Sequence, residues 1–305
     1  TSLADLSRSI ATLIQKKGGH FLLVGGTVRD LFIQETPLEL DAEVRGLSTE
    51  QLIDCLHPHY PTDQVGKSFG VLKLKGFPVE IALPRTEIKT GSGHKEFSIE
   101  VDPHLPFEQA ALRRDFTINA MAVRLPEFIF VDPFGGVEDL SKKLIRTPRA
   151  PELSFSDDPL RMMRAARFTS QLGFTPVVDV LLAITQMADR ITIVSAERIR
   201  DEFSKLILGQ HPATGLEILE GTKLAEHIIP ELPALQLEID EHHKHKDVYE
   251  HSLIVMQQAI DLETTHEPGC EPDLVLRLAA LLHDIGKPKT RRFESGDGVS
   301  FHHHE

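Results

Sequence analysis

The chain has 305 residues, 41% of them hydrophobic, and a formal net charge of −13 at pH 7. That length supports two or three globular domains, no run of about 18 apolar residues is present to cross a bilayer, and the acidity argues against a surface built throughout for nucleic acid. The charge is uneven, however: residues 140–210 hold a small excess of Lys and Arg over Asp and Glu, enough for a phosphate backbone to find a basic face. Cys55 and Cys270 lie far apart with no CxxC, which argues against a disulfide scaffold or a zinc ribbon and fits a reducing cytosol.

In chain order, residues 3–17 carry apolar positions at helical spacing and read as an amphipathic helix, not a leader peptide. HFLLV (20–24) and LELDAEV (38–44) read as strands, and 48–56 as a helix opened by a Ser/Thr cap. Residues 70–84 alternate about Gly76 and Phe77 and predict a hairpin, KTGSGHKEF (89–97) a polar loop, and FIFVDPF (128–134) a strand ending in a turn. From Asp157 the texture becomes helical: DDPLRMMRAARFTSQLGF, VVDVLLAITQMA and SAERIRDEFSKLILG. Boundaries therefore fall near 148–151 and 230–235, giving an α/β part (1–150), a helical part (151–235) and a histidine-bearing helical segment (236–305). HHKH (242–245) reads as a solvated linker.

Period-2 alternation in LELDAEV puts Glu39, Asp41 and Glu43 on one face, against Leu40, Ala42 and Val44 on the other. Such a face is either a solvated edge or a set of hard oxygen ligands for Mg²⁺. Upstream, Gly25-Gly26 closes a strand and enters TVRDLFI, where backbone amides could approach a phosphate or simply make a turn. Arg29 lies one turn in, placed for a phosphate or a carboxylate. Neither a P-loop nor a GxGxxG is present. Glu80, on FPVEIAL, is a third acid for a two-metal layout or a surface acid of an edge strand. In DDPLRMMRAARF, Asp158, Arg161, Arg164 and Arg167 step by three along one helical face, which needs facing acids or a polyanion. Asp157 or Asp158 caps the helix and Pro159 suits its first turn.

GGTVRDLFI followed by Glu39-Leu40-Asp41, then RRDFTINAMA (113–122), DPFGGVEDL (132–140), DDPLRMMRAARF (157–168) and ERIRDEF (197–203), resembles the class II tRNA nucleotidyltransferases and bacterial poly(A) polymerases, in family order over residues 20–305. The resemblance implies a DNA polymerase beta-like head with a mixed or antiparallel sheet and helices, then an all-helical neck and body. It implies template-independent addition of CCA, or part of it, to tRNA from CTP and ATP. Glu39, Asp41 and Glu80 would be catalytic, with Mg²⁺ on Glu39 and Asp41. The family usually has Asp-x-Asp, so Glu39 is a departure. Gly25, Gly26, Arg29, Arg114 and Asp115 would serve the nucleotide, Asp115 by holding an arginine or the ribose. Asp158 and Arg161 would read the base, while Arg164 and Arg167 would bind triphosphate or orient that pair. Asn119, Asp132 and Asp139 would be structural. Residues 89–100 fall where the family carries the element that switches from C to A addition.

YEHSL and LLHDIGKPKT place His251 and the His283-Asp284 doublet in apolar helical runs, similar to HD-domain metal-dependent phosphohydrolases. A second divalent metal is expected on these three side chains, with His304 of FHHHE a further contact. An HD domain continues beyond such a segment, so the segment is expected to be cut short and its metal site incomplete. Alternatives to CCA addition are poly(A) synthesis, addition of the terminal A alone, or phosphohydrolysis with a non-catalytic RNA-binding head.

Overall fold

The computed structural model describes residues 2–63, 71–89, 97–236, 248–266, 269–294 and 298–301. It divides into two units, residues 1–142 with 146–149 and residues 143–145 with 150–305. In the first, Leu6, Ile10, Ala11 and Ile14 form the buried stripe of α1 (Leu3–Lys16), whose start Ser2 caps by accepting from the Asp5 amide. β1 (His20–Val24) reads as an unbroken apolar run because both its faces are covered. Phe21 and Leu23 join the main core, and Leu22 and Val24 join a smaller cluster with Ala122.

There follow α2 (Gly25–Phe32), β2 (Leu40–Arg45), α3 (Thr49–Leu56), β3 (Thr62–Asp63), β4 (Val71–Leu74) and β5 (Val79–Ala82). Then come β6 (Arg85–Lys89), β7 (Phe97–Val101), α4 (Phe107–Ala111), β8 (Ala122–Leu125), β9 (Ile129–Val131) and α5 (Gly136–Ser141). The expected cap of α3 is a full capping box between Ser48 and Gln51. Seven strands make one mixed sheet, β3-β4-β5-β2-β1-β8-β9, in which β2 pairs with β5 in parallel and the other pairings are antiparallel. The hairpin about Gly76 forms as expected. β6 and β7 form a separate hairpin; the polar loop between them, residues 90–96, lies outside the described residues.

One boundary needs correction. β2 begins at Leu40, not at residue 38, because its first sheet bond is the Leu40 amide to the Pro78 carbonyl at 2.8 Å. Leu38 and Glu39 precede the strand and are exposed. The DPFGG turn is a brace, as expected for Asp132 and Asp139. Asp132 accepts from the Gly136 and Val137 amides (2.7 and 3.0 Å), and Asp139 accepts from Thr117 Oγ1 at 2.7 Å.

The second unit holds α6 (Pro151–Asp157), α7 (Leu160–Leu172), α8 (Val178–Met187), α9 (Ala196–Ile207), α10 (Pro212–Gly221) and α11 (Ala225–Ile228). It continues with α12 (Val248–His266), α13 (Leu274–Leu282) and α14 (Lys287–Thr290). It is mostly helical but not wholly so. β10 (Leu144–Ile145) pairs in parallel with β11 (Thr175–Pro176), and β12 (Arg291–Glu294) makes a hairpin with β13 (Gly298–Phe301). The HHKH stretch and His304 lie outside the described residues. Among those described, no helix is long and apolar enough to cross a membrane.

A methyl group at Gly136 would lie 2.4 Å from the Thr117 carbonyl oxygen and 2.7 Å from Met121 Cγ, whereas at Gly135 it meets open space and only the φ of +71° resists it. We expect Gly136→Ala to cost about 1–3 kcal/mol and Gly135→Ala less, read from urea midpoints. The reverse order would show that the brace is not tightly packed.

Candidate active site

The pleat of β2 directs Leu40, Ala42 and Val44 into the main core and leaves Asp41 and Glu43 on the opposite face. Glu80 stands beside Asp41 in the parallel register of β2 with β5, and its carboxylate also takes Lys73 Nζ at 3.0 Å. Glu39 sits just before this strand with its side chain in solvent. Glu43, which sequence reasoning did not assign to the site, is 5% exposed and pairs with Arg45 at 2.7 Å and Arg114 at 3.9 Å. Its place in the period-2 alternation was the available signal.

Gly25 turns out of β1 at φ +62°. A Cβ there would lie 3.2 Å from Arg114 Nη1 and 3.4 Å from Asp41 Oδ2, and one on Gly26 would lie 3.6 Å from the same oxygen. The Asp41 carboxylate therefore rests over the two glycines, at the start of α2, where Val24 supplies no side-chain cap. Gly26, Thr27, Arg29, Glu39 and Asp41 line a cleft of about 650 Å³. Burial pushes the Asp41 carboxyl above the usual aspartate range; Arg114 and Arg29 pull it down, and Glu80 and Glu39 push it up. A partly desolvated carboxylate among other acids is a donor set that fits a divalent cation.

Arg29 is held by Asp30 at 2.6 Å and donates from Nη1 to Asn119 Oδ1 at 2.9 Å. Asn119 in turn donates to Asp115 Oδ1 at 3.1 Å, and the Phe116 amide donates to the same oxygen. Asp115 thus reaches an arginine through Asn119, which gives that asparagine a specific structural duty.

In the second unit the ladder divides. Asp158 is not on the helical face. It lies between α6 and α7 in extended backbone, a break made by α6, which the sequence pattern did not reveal. One carboxylate oxygen accepts from the Leu160 amide at 3.1 Å and the other from Arg198 of α9 at 2.9 Å. Arg161, partly exposed, donates to the Ser154 hydroxyl at 2.9 Å. Arg167 is 8% exposed, bonded to Glu202 and Gln171 and stacked 4.0 Å from the Phe168 ring centroid. It is packed inside the unit rather than presented to a triphosphate. Arg164 sits 3.5 Å from the same Glu202, so a facing acid relieves the arginine repulsion. Arg198 and Glu202 were missed because only their distance in sequence, not their spacing, separates them from α7.

His251, His283 and Asp284 do converge, their ligand atoms all within 4.8 Å of one another. His283 Nε2 is 3.1 Å and His251 Nε2 3.9 Å from Asp284 Oδ2. Two imidazoles and a carboxylate suit a transition metal, but Lys287 Nζ lies 2.7 Å from that carboxylate oxygen and contends for it.

Three family models match the chain: "Poly A polymerase head domain" at residues 21–146, "Probable RNA and SrmB-binding site of polymerase A" at 173–235, and "HD domain" at 248–305. A multifunctional CCA protein of Pasteurella multocida (strain Pm70) is 35% identical over 275 residues, covering 88% of this chain and 63% of its own. One from Hahella chejuensis is 34% identical over 290 residues, covering 93% and 64%. The chain thus spans somewhat under two thirds of these relatives. The crystal structure of a Bacillus stearothermophilus CCA-adding enzyme in complex with CTP superposes with a TM-score of 0.66 at 26% identity, covering 88% of this chain and 72% of that one.

Because the folded Asp41 carboxyl titrates above its unfolded value, the folded state keeps its proton to higher pH. Stability is then undiminished below the unfolded pKa and falls as pH rises through the raised one. We expect Asp41→Asn to raise the Tm at pH 7 and to match wild type in acid, and Mg²⁺ to raise the Tm of wild type but not of the variant. A lower Tm at pH 7 would overturn the assignment. At the histidine cluster, we expect Lys287→Ala to tighten, and His283→Ala to abolish, the Mn²⁺ binding that remains in Asp41→Ala, measured by calorimetry. No change on removing Lys287 would show that it does not contend for Asp284.

Proposed function

We propose that this chain, which matches models of the poly(A) polymerase head and RNA-binding domains and resembles multifunctional CCA proteins, adds CCA, or part of it, to the 3′ end of tRNA from CTP and ATP. The observation that carries this reading is the Asp41 carboxylate seated over Gly25-Gly26, with Glu80 in register beside it and Arg114 close by. The new bond joins the RNA 3′-oxygen to the α-phosphorus, the bond from that phosphorus to pyrophosphate breaks, and the hydroxyl proton passes to water. Glu39 and Asp41 would hold Mg²⁺, with Glu80 flanking, and the ion would supply activation of the hydroxyl and screening of the triphosphate. Gly25, Gly26, Arg29 and Arg114 are assigned to the triphosphate, and Asp115 orients Arg29 through Asn119. Asp158 and Arg161 are assigned to the base, where a carboxylate accepts from the exocyclic amine that cytosine and adenine share and uracil and guanine lack at that position. Arg164 remains assigned to the nucleotide, and Arg167 to holding α7 against Glu202. A cytoplasmic setting is part of the same proposal.

Poly(A) synthesis is the second reading, because two of the matching models are described for polymerase A. The test is incubation with tRNA lacking its 3′ CCA and labelled CTP and ATP, separately and together. We expect C addition from CTP alone and a terminal A only when both are present. Long A tracts from ATP alone would establish the second reading, and no incorporation at all would leave the histidine cluster as the candidate for phosphohydrolysis.

We expect Asp158→Ala or Arg161→Ala to relax discrimination against UTP and GTP by about tenfold or more, the scale of one charged hydrogen bond. A uniform fall in rate with unchanged selectivity would show that these residues do not read the base.

A further inference from the structure

β1 pairs with β2 only as far as Leu23 opposite Ala42, because beyond Val24 the chain turns into α2. The next positions on β2 therefore lose their strand neighbour on that side. The Leu40 amide points the other way, to the Pro78 carbonyl. Strand alternation then aims the Asp41 amide and the Glu39 carbonyl at the gap that β1 leaves. Both groups are satisfied by one side chain. Thr27 Oγ1 accepts from the Asp41 amide at 2.8 Å and donates to the Glu39 carbonyl at 3.2 Å. Thr27 is 2% exposed and sits directly after the glycine pair.

We propose that Thr27 is a positioning residue: its hydroxyl replaces the missing strand and holds the backbone of Glu39-Leu40-Asp41 so that the two acids present a fixed pair to the cation. This rests on the reading of Glu39 and Asp41 as the metal-holding pair. A hydroxyl is the smallest group that both donates and accepts, so it can answer the Asp41 amide and the Glu39 carbonyl at once. It also links the acids to the turn on which the Asp41 carboxylate rests, so that cation and triphosphate subsites share one anchor. Thr27→Val keeps the shape and removes the hydroxyl, leaving a buried amide and carbonyl unanswered. Thr27→Ser keeps the hydroxyl.

The test compares wild type, Thr27→Val and Thr27→Ser in three measurements. These are amide exchange of the segment containing Asp41 in metal-free protein, Mn²⁺ affinity by calorimetry with His283→Ala added to every protein so that the histidine cluster takes no ion, and kcat and KM for CTP on tRNA lacking CCA. We expect Thr27→Val to exchange faster at Asp41, to bind Mn²⁺ about tenfold more weakly and to lose about tenfold in kcat with little change in KM, the scale of one lost hydrogen bond at a charged site. Thr27→Ser should match wild type in all three. Wild-type exchange and Mn²⁺ affinity in Thr27→Val, or a Thr27→Ser as impaired as Thr27→Val, would overturn the proposal. If Thr27→Val does not fold, Thr27→Ala, which only removes atoms, takes its place against Ser with the same expectations. Asp41→Ala run alongside separates the two levels. If it still binds Mn²⁺ and transfers nucleotide, the underlying reading fails; if it is inactive while Thr27→Val is normal, only the positioning role fails.

Discussion

A carboxylate withdrawn from water must be answered by something, and the first unit is arranged around that need at Asp41. Its carboxyl group rests against the only kind of turn that can come so close, two residues without side chains. Arg114 balances it from one side, while Glu80 and Glu39 add to the negative charge. Glycine takes the Gly25 φ of +62° without steric strain, whereas the Asp41 carboxylate is charged where burial disfavours charge. The stability comes from the opposite face of the same strand, where Leu40, Ala42 and Val44 enter the main core beside α1 and α3. The strand thus converts apolar burial on one side into electrostatic tension on the other, which is where the proposed cation would act.

That division was legible in the sequence because it depends on period 2. Alternation in LDAEV assigns faces without knowledge of any neighbour, and a glycine pair after an apolar run announces a turn into a helix. What could not be read was partnership. Glu43 belongs to the same alternation, yet its burial with Arg45 and Arg114 depends on a segment some seventy residues away. Arg29 was equally suited on paper to phosphate or carboxylate; the structure gives it Asp30 and Asn119. β8 was hidden because Ala122–Leu125 is short and follows a motif rich in polar residues.

The arginine ladder shows where periodicity misleads. Arg161, Arg164 and Arg167 do share helix α7, but a step of three rotates slowly around the axis, and by Arg167 the side chain has turned into the unit and against Glu202. Asp158 fits the same arithmetic only by coincidence of numbering, since α6 ends and the backbone extends at that residue. The aspartate instead caps the first turn of α7, its carboxylate accepting from the Leu160 amide and its carbonyl from the Arg161 amide, while Arg198 of α9 holds the other carboxylate oxygen.

Arg198 draws attention to α9, which supports three different neighbours within one unit. Its first turn meets Asp158 through Arg198, and its middle meets Arg164 and Arg167 through Glu202. At its last residue and just beyond, the Ile207 and Gly209 carbonyls accept from Arg277, itself buried in a pair with Glu263. The last of these satisfies helix-terminal carbonyls that would otherwise be orphaned, and it does so with a side chain from the histidine-bearing segment. A buried arginine whose carboxylate and carbonyl partners lie on different elements tolerates little relative displacement, because any shift leaves a charge unanswered. α9 is therefore the element that fixes α12 and α13 to the helix bearing Arg161. The spacing of ERIRDEF announces a helix but not this role, which arises from three contacts that no single window of sequence contains.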